Sequence, residues 1–237
     1  MRWTRNTAGL LAALCCALSI AAPAGAQTFS DRALFEAAIT GFARSVLDFD
    51  AILAGKRIAS DETVSGVTFS YDFGEVSLTV TDAFDTTSGA NALGTDDAGL
   101  LLDGDEFELS FAPANAVGLF VTTADAMFDG DITLSAGGQT ASLQAVDVQE
   151  ILPDEGQVFF LGIVDADASF GEARIDNIGG GFFFYNVDDI VTATVPEPGA
   201  SAAWLASIAA LAQLRRRARS RRPTACAQQA PAGRVSQ

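Results

Sequence analysis

The stretch Ile132-Thr133-Leu134-Ser135-Ala136-Gly137-Gly138-Gln139-Thr140-Ala141-Ser142-Leu143 decides the fold class. Apolar and polar residues alternate on both sides of the two glycines, which is the period of a half-buried β-strand. A Gly-Gly pair between two such runs favours a tight antiparallel hairpin. The stretch therefore predicts two paired strands, at residues 132–135 and 141–148.

The same period of two recurs on both sides of this hairpin. Asp-Gly turns at residues 103–104 and 129–130 separate several of the runs. The other predicted strands cover residues 46–50, 64–71, 76–81, 107–111, 117–122, 158–164, 173–178 and 187–194. About ten short strands without alternating helices predict an all-β fold, an antiparallel β-sandwich that is jelly-roll-like.

One short N-terminal helix is predicted before the strands. Ser30 is the expected N-cap, Asp31 and Glu36 lie in the early turns, and Gly41 is the expected end. The apolar stripe of this helix consists of Leu34, Phe35, Ala38 and Ile39.

The segment between residues 27 and 195 is strongly acidic. It holds 5 of the 14 basic residues and 29 of the 30 acidic ones, which gives it a formal charge of −24. Such a field repels phosphate backbones, so no nucleic-acid partner is expected. The chain has no histidine, and Cys15, Cys16 and Cys226 lie outside the segment. Histidine triads, thiolate nucleophiles, disulfides and zinc sites are therefore excluded within it.

The N-terminus has the parts of a secretory signal peptide. Arg2 and Arg5 precede an apolar run, and a small-residue cleavage motif ends at Ala26, before Gln27. We predict a signal peptide at residues 1–26 that directs the chain to the Sec machinery and is removed by signal peptidase. A retained membrane anchor is the alternative, and the shortness of the apolar run disfavours it.

The C-terminus combines three features in a fixed order. Pro196-Glu197-Pro198 is followed by an apolar, alanine-rich run at residues 199–214 and by six arginines within residues 215–222. The run favours a helix of about 24 Å, which is short for a hydrocarbon core of roughly 30 Å. Arginines after it would hold its end on the cytoplasmic side. The residues of this predicted short transmembrane helix and its anchor are Trp204, Leu205, Ile208, Leu211, Leu214, Arg215, Arg216 and Arg217.

This tail, residues 195–222, resembles the PEP-CTERM sorting signal of exported bacterial proteins. The resemblance implies an exosortase, a membrane-embedded transpeptidase-like protease, that cuts near Pro196-Glu197-Pro198. It also implies transit through the inner membrane to the cell surface or extracellular matrix of a Gram-negative bacterium, in company with exopolysaccharide and biofilm. Residues 223–237 form a polar tail beyond the signal. A basic C-terminal helix that binds acidic partners is the alternative.

Residues 27–194 are then the acidic passenger domain of that signal. Short motifs in the segment resemble passenger domains that precede such tails, and these are similar to jelly-roll carbohydrate-binding modules. The motifs lie at residues 28–35, 47–50, 66–69, 159–162 and 187–190.

Carboxylates are the abundant functional groups of the segment. Calcium takes six to eight oxygen ligands, and acidic loops predicted at residues 103–106, 129–131 and 188–189 offer such oxygens. We predict Ca²⁺ as the candidate cofactor, with Asp188 and Asp189 as leading ligands, because the final strand of such a sandwich borders a loop. At each single loop, a solvated turn is the alternative.

These observations predict a non-enzymatic exported protein of the cell surface or matrix, with exopolysaccharide as a candidate partner. The alternatives are a secreted polysaccharide-active enzyme, a carbohydrate-binding module, and a purely adhesive protein. An enzyme would need two carboxylates about 5 to 9.5 Å apart, and the sequence singles out no such pair. Tyr71 and Tyr185 are the only Tyr or Trp residues of the segment, and Phe182-Phe183-Phe184-Tyr185 is predicted to be a core strand.

Overall fold

The computed structural model describes residues 25–177 and 182–196. This part of the chain is mostly β, with two antiparallel sheets and one short helix, which confirms the all-β prediction. Helix α1 spans Arg32–Ala38. The strands are β1 (Gln27–Phe29), β2 (Ala43–Leu47), β3 (Arg57–Ile58), β4 (Glu62–Val64), β5 (Val67–Tyr71), β6 (Leu78–Thr81), β7 (Ala92–Thr95), β8 (Leu101–Leu102), β9 (Phe107–Ala114), β10 (Ala116–Thr123), β11 (Thr133–Ala136), β12 (Gln139–Ser142), β13 (Glu150–Ile151), β14 (Gln157–Val164), β15 (Phe170–Asp176) and β16 (Phe184–Thr194).

The two sheets share one apolar core. The larger sheet follows the order β1-β14-β10-β16-β7-β6-β3, with β2 and β8 also paired to β16 and β13 to β14. The smaller sheet follows the order β12-β11-β15-β9-β5-β4. Leu109 and Ile175 from the smaller sheet are buried in one cluster with Leu119 and Leu161 from the larger sheet. This is the arrangement of a β-sandwich.

The hairpin at Gly137-Gly138 is confirmed, but its second strand is shorter than predicted. The two glycines have φ of 57° and 76°, as a two-residue hairpin turn requires, and they connect β11 directly to β12. The predicted strand 141–148 stops early because the chain bends away into a loop. There the Asp129 carboxylate accepts a hydrogen bond from the Ala145 N–H at 2.8 Å.

The predicted strand 64–71 is in fact a second hairpin. Ser65 and Gly66, with φ of 48° and 87°, form a two-residue turn between β4 and β5. Val64 is apolar at an even position, whereas Val67, Phe69 and Tyr71 are apolar at odd positions, so the alternation shifts by one residue at this turn. The sequence prediction overlooked this shift and joined the two strands. Strands β1, β3, β7, β8 and β13 were not predicted, and β7 illustrates the reason. All four of its residues are buried, so no alternation marks it.

Helix α1 begins and ends differently from the prediction. Asp31, not Ser30, is the N-cap, and its carboxylate accepts a hydrogen bond from the Leu34 N–H at 2.8 Å. The helix ends at Ala38, before Gly41. An aspartate is as good an N-cap as a serine, so the two neighbours were close competitors in the sequence.

The helix packs on the outer face of the larger sheet through Phe35, which is fully buried. Beneath it, Gly118 of β10 pairs with Gly162 of β14. A Cβ on Gly162 would lie 2.6 Å from the Phe35 ring. The two glycines therefore create the space that lets the helix approach the sheet.

No helix within residues 25–177 and 182–196 has the length and hydropathy of a membrane span. Several predicted features lie outside the described residues. They are the signal peptide up to residue 24, Glu197, Pro198, the transmembrane helix with its anchor residues Trp204, Leu205, Ile208, Leu211, Leu214, Arg215, Arg216 and Arg217, and the polar tail.

Candidate functional site

The described strands begin and end beside the two predicted processing signals. Gln27, directly after Ala26, opens β1 and pairs with Val164. At the other end, β16 finishes at Thr194, and the Val195 N–H donates a hydrogen bond to Asn115 Oδ1 at 2.9 Å. Cleavage before Gln27 or after Val195 would therefore remove none of the described strands.

The first strand begins, and the last strand ends, at the same end of the larger sheet. Gln27 is opposite Val164, Val164 is opposite Ala116, and Ala116 is opposite Ala193. Neighbouring strands are about 4.8 Å apart, so three steps across the sheet cover about 15 Å. The chain thus enters and leaves the sheet at nearby points.

Asp188 and Asp189 lie in the middle of β16 and not in a loop, which corrects the prediction. Asp189 has φ of 48°, and the pairing of β16 with β10 shifts register beside it, so the pair forms a bulge. Asp188 is fully buried. Its Oδ2 accepts hydrogen bonds from Thr87 N–H, Thr87 Oγ1 and Ser88 N–H at 2.7–3.2 Å. Ser88 Oγ donates to Asp189 Oδ1 at 2.9 Å.

These bonds hold the loop between β6 and β7, residues 82–91, on the outer face of the larger sheet. From its other side the loop is held by Asp50, whose Oδ1 accepts hydrogen bonds from Ala90 and Asn91 N–H at 2.8 and 3.1 Å. Gly89, with φ of 54°, passes so close to the Asp50 carboxylate that no side chain would fit there. We call this segment the clamped loop.

The buried carboxyl of Asp188 has an unusual protonation equilibrium. Burial, together with the neighbouring charge of Asp189, raises the pKa of Asp188 to about 7. Hydrogen bonds from Thr87 and Ser88 oppose this rise because they stabilise the carboxylate form. The clamped loop is therefore attached to a group that titrates near neutral pH.

The other predicted calcium loops also use their carboxylates internally. Asp105 Oδ2 accepts a hydrogen bond from Leu102 N–H at 2.7 Å, and Asp131 Oδ2 accepts one from Phe128 N–H at 2.6 Å. Among the residues that the structure describes, no three His, Cys, Asp or Glu side chains converge as metal ligands do. At Asp188, an ion would have to displace donors of the clamped loop, and calcium binding stays a prediction.

Calcium added to the EDTA-treated protein is expected to raise Tm. A site of millimolar affinity at tenfold excess gives about 1.4 kcal/mol, or roughly 3–6 °C for a chain of this size. Asp189→Asn is expected to abolish the rise if the predicted pair is the site. The control is an equal ionic strength of choline chloride, which screens charge without coordination. A Tm that does not change at millimolar calcium contradicts the prediction.

The outer face of the larger sheet is partly covered by other elements, and the outer face of the smaller sheet is open. Helix α1 and the clamped loop lie on the larger sheet, whereas no described element covers the smaller one. Polar side chains on this open face line up from strand to strand because the pairing keeps them in register. One row across five of the six strands consists of Thr140, Ser135, Arg174, Glu108 and Ser70, and Asp61, just before β4, accepts a hydrogen bond from Ser70.

The open face is acidic and rich in hydroxyls. Arg174 forms ion pairs with Glu106 and Asp176, and the bond to Glu106 raises the pKa of its guanidinium. A groove of about 590 Å³ passes between Arg174 and the turn that joins β11 to β12. Hydroxyl and carboxylate groups at strand spacing can hydrogen-bond a polyol over an extended contact.

Sequence reasoning missed the partners that give these residues their roles. Thr87 and Ser88 are about 100 positions from Asp188, and no local pattern connects them. One signal was available, since two aspartates interrupt the apolar run of β16 and a buried acid needs hydrogen-bond donors.

No protein-family model matches the chain, and no curated protein matches it in sequence.

Proposed function

We propose that this chain is an exported, non-enzymatic protein of the cell surface or extracellular matrix, translocated by the Sec machinery and sorted by an exosortase. One observation carries the proposal: the strands extend from Gln27 to Thr194, the interval that the two terminal signals leave free. A sorted protein must keep its fold after both signals have been removed. The jelly-roll-like connectivity and the short transmembrane helix belong to the same proposal.

The open face of the smaller sheet supports exopolysaccharide as the partner. It presents a row of polar side chains, mostly hydroxyls and carboxylates, across five strands, which suits hydrogen bonds to sugar hydroxyls. Its charge disfavours polymers that carry carboxylates or phosphates. Contact through many weak polar groups fits a structural matrix component better than a catalyst, which needs a pair of acids set around one bond.

Export and processing are tested with the full-length chain in a host that carries an exosortase. The extracellular product is expected to begin at Gln27 and to end near Pro196, by mass spectrometry. Replacing Pro196-Glu197-Pro198 with three alanines should lower the processed fraction at least about tenfold and leave the full-length chain in the membrane fraction.

The matched control replaces Pro153 and Glu155, an exposed proline and glutamate within the fold, with alanine, and should be processed normally. The proposal fails if the unmodified chain stays in the cytosol. It fails equally if the secreted protein still carries its arginine-rich end.

A further inference from the structure

A concave pocket of about 130 Å³ lies on the outer face of the larger sheet, beside the clamped loop. Its floor is formed by the ends of β10 and β16, and its sides come from the clamped loop and from the loop between β13 and β14. Neither helix α1 nor the open face of the smaller sheet contributes to it. The pocket is therefore separate from the surface described above.

The walls of the pocket are apolar and partly aromatic. Phe84, Leu100, Leu152 and Phe184 line it. Phe84 is 39% exposed, and Phe182, which contacts the Phe184 ring edge-to-face at 5.0 Å, is 76% exposed. Exposed aromatic rings beside a concavity are typical of binding sites. A ligand that covers such rings removes their apolar surface from water, which stabilises the complex.

The rim of the pocket offers hydrogen-bond acceptors with negative charge. Asp85 and Asp154 each accept a hydrogen bond from the other's backbone N–H, at 3.0 and 3.2 Å, which brings their carboxylates together. Asp125 accepts one from Phe184 N–H at 2.8 Å and lines the same pocket. A ligand that fits this rim must present hydrogen-bond donors, and a negative charge on it would be repelled.

These carboxylates have no basic partner within the described residues. Each of the five basic side chains there is paired with another acid, so none neutralises the rim. An ammonium group would meet the carboxylates beside two phenylalanine rings, Phe84 and Phe184, and aromatic rings attract cations. Charge complementarity therefore favours a cationic ligand over a neutral one.

The size of the pocket limits the ligand to about one ring. A dry cavity of about 150 Å³ holds one benzene molecule, so a pocket of about 130 Å³ takes one six-membered ring. A pyranose has apolar C–H faces for the phenylalanine walls and donors around its edge for the rim.

We propose that this pocket binds an amine-bearing pyranose unit of an amino-sugar polymer. The proposal rests on the proposed function, since the polymer is then the matrix polysaccharide that the protein accompanies. The pocket holds one charged unit, and the open face of the smaller sheet is free for other contacts.

The test titrates the full-length chain with short glucosamine oligomers, and in parallel with the same oligomers fully N-acetylated, by calorimetry at a pH at which the amine is charged. The amine form is expected to bind at least about tenfold more tightly, the ratio for one charge-assisted hydrogen bond. Phe84→Ala and Asp125→Asn should each weaken binding of the amine form by about tenfold or more. Asp125→Asn keeps an oxygen for the Phe184 N–H, so it tests the rim if Phe84→Ala does not fold.

Two matched controls separate the pocket from general attraction to an acidic protein. Phe128→Ala removes a ring that is 66% exposed and does not line the pocket, and Asp167→Asn removes an exposed charge elsewhere. Both controls should bind as the unmodified chain does. Equal losses in variants and controls, equal affinity for the N-acetylated oligomer, or tighter binding of a lysine peptide than of the sugar would each overturn the proposal. The processing experiment measures only where the secreted chain begins and ends. It can therefore confirm export and sorting even if the calorimetric titration shows no binding of the amino sugar.

Discussion

Gly94→Ala is expected to remove about 3–5 kcal/mol from the free energy of unfolding, the sum of overpacking and a broken buried hydrogen bond. Gly94 lies in β7, and the Gly99 backbone carbonyl presses against the place where its Cβ would be. The Asn186 Nδ2 atom, 2.8 Å from the same place, donates hydrogen bonds to Gly99 O and Leu93 O. A methyl group would push the carbonyl away and leave the buried amide of Asn186 without this acceptor.

Urea unfolding of the full-length chain measures this loss as a lower midpoint at an unchanged slope. Gly171→Ala in β15 is the matched control, because its Cβ would lie 3.2 Å from Phe111 O and needs a shift of only a few tenths of an ångström. We expect it to lose less than about 1 kcal/mol. Midpoints for Gly94→Ala that match those of the unmodified chain would contradict the packing of residues 96–100 over β7.

The sequence predicted those strands that have one face in the core and one in water. β9 and β15 alternate in this way, because the outer face of the smaller sheet is open. β6 and β7 are both buried on both faces, yet β6 was predicted, because Val76, Leu78 and Val80 alternate with polar residues. β7 contains Gly94 and has no such alternation. The pattern therefore failed at short strands, such as β7, that carry no alternation of apolar and polar residues.

The candidate site was predictable in its chemistry but not in its geometry. Composition excluded histidine and cysteine chemistry from the acidic segment and left carboxylates as its abundant functional groups. The pairing of Asp85 with Asp154, and of Asp188 with Thr87, joins residues about 70 to 100 positions apart. Such contacts depend on strand order, which local periodicity does not encode. Phe182 and Phe184 point away from the core while Phe183 and Tyr185 are buried in it, so the predicted core strand was half right.

The stability of the unmodified chain is expected to fall with rising pH relative to that of Asp188→Asn, by about 2–4 kcal/mol between pH ~4 and pH ~8. The folded-state pKa of Asp188, about 7, lies above the value of 3.8 for a free aspartate. The native state therefore binds this proton more tightly than the unfolded state does. Its contribution is complete below pH ~4 and is lost as the pH rises through about 7, at up to about 1.4 kcal/mol per pH unit.

Asparagine has nearly the same shape as the protonated acid but cannot ionise, so the variant lacks this slope. Urea unfolding of both proteins at intervals over that range gives the difference directly. Asp50→Asn removes an equal charge from the other attachment of the clamped loop, and comparing the two variants separates the burial of Asp188 from the change in net charge. Parallel curves for the unmodified chain and Asp188→Asn would mean that the carboxyl keeps one protonation state throughout, and that the donors Thr87 and Ser88 outweigh its burial.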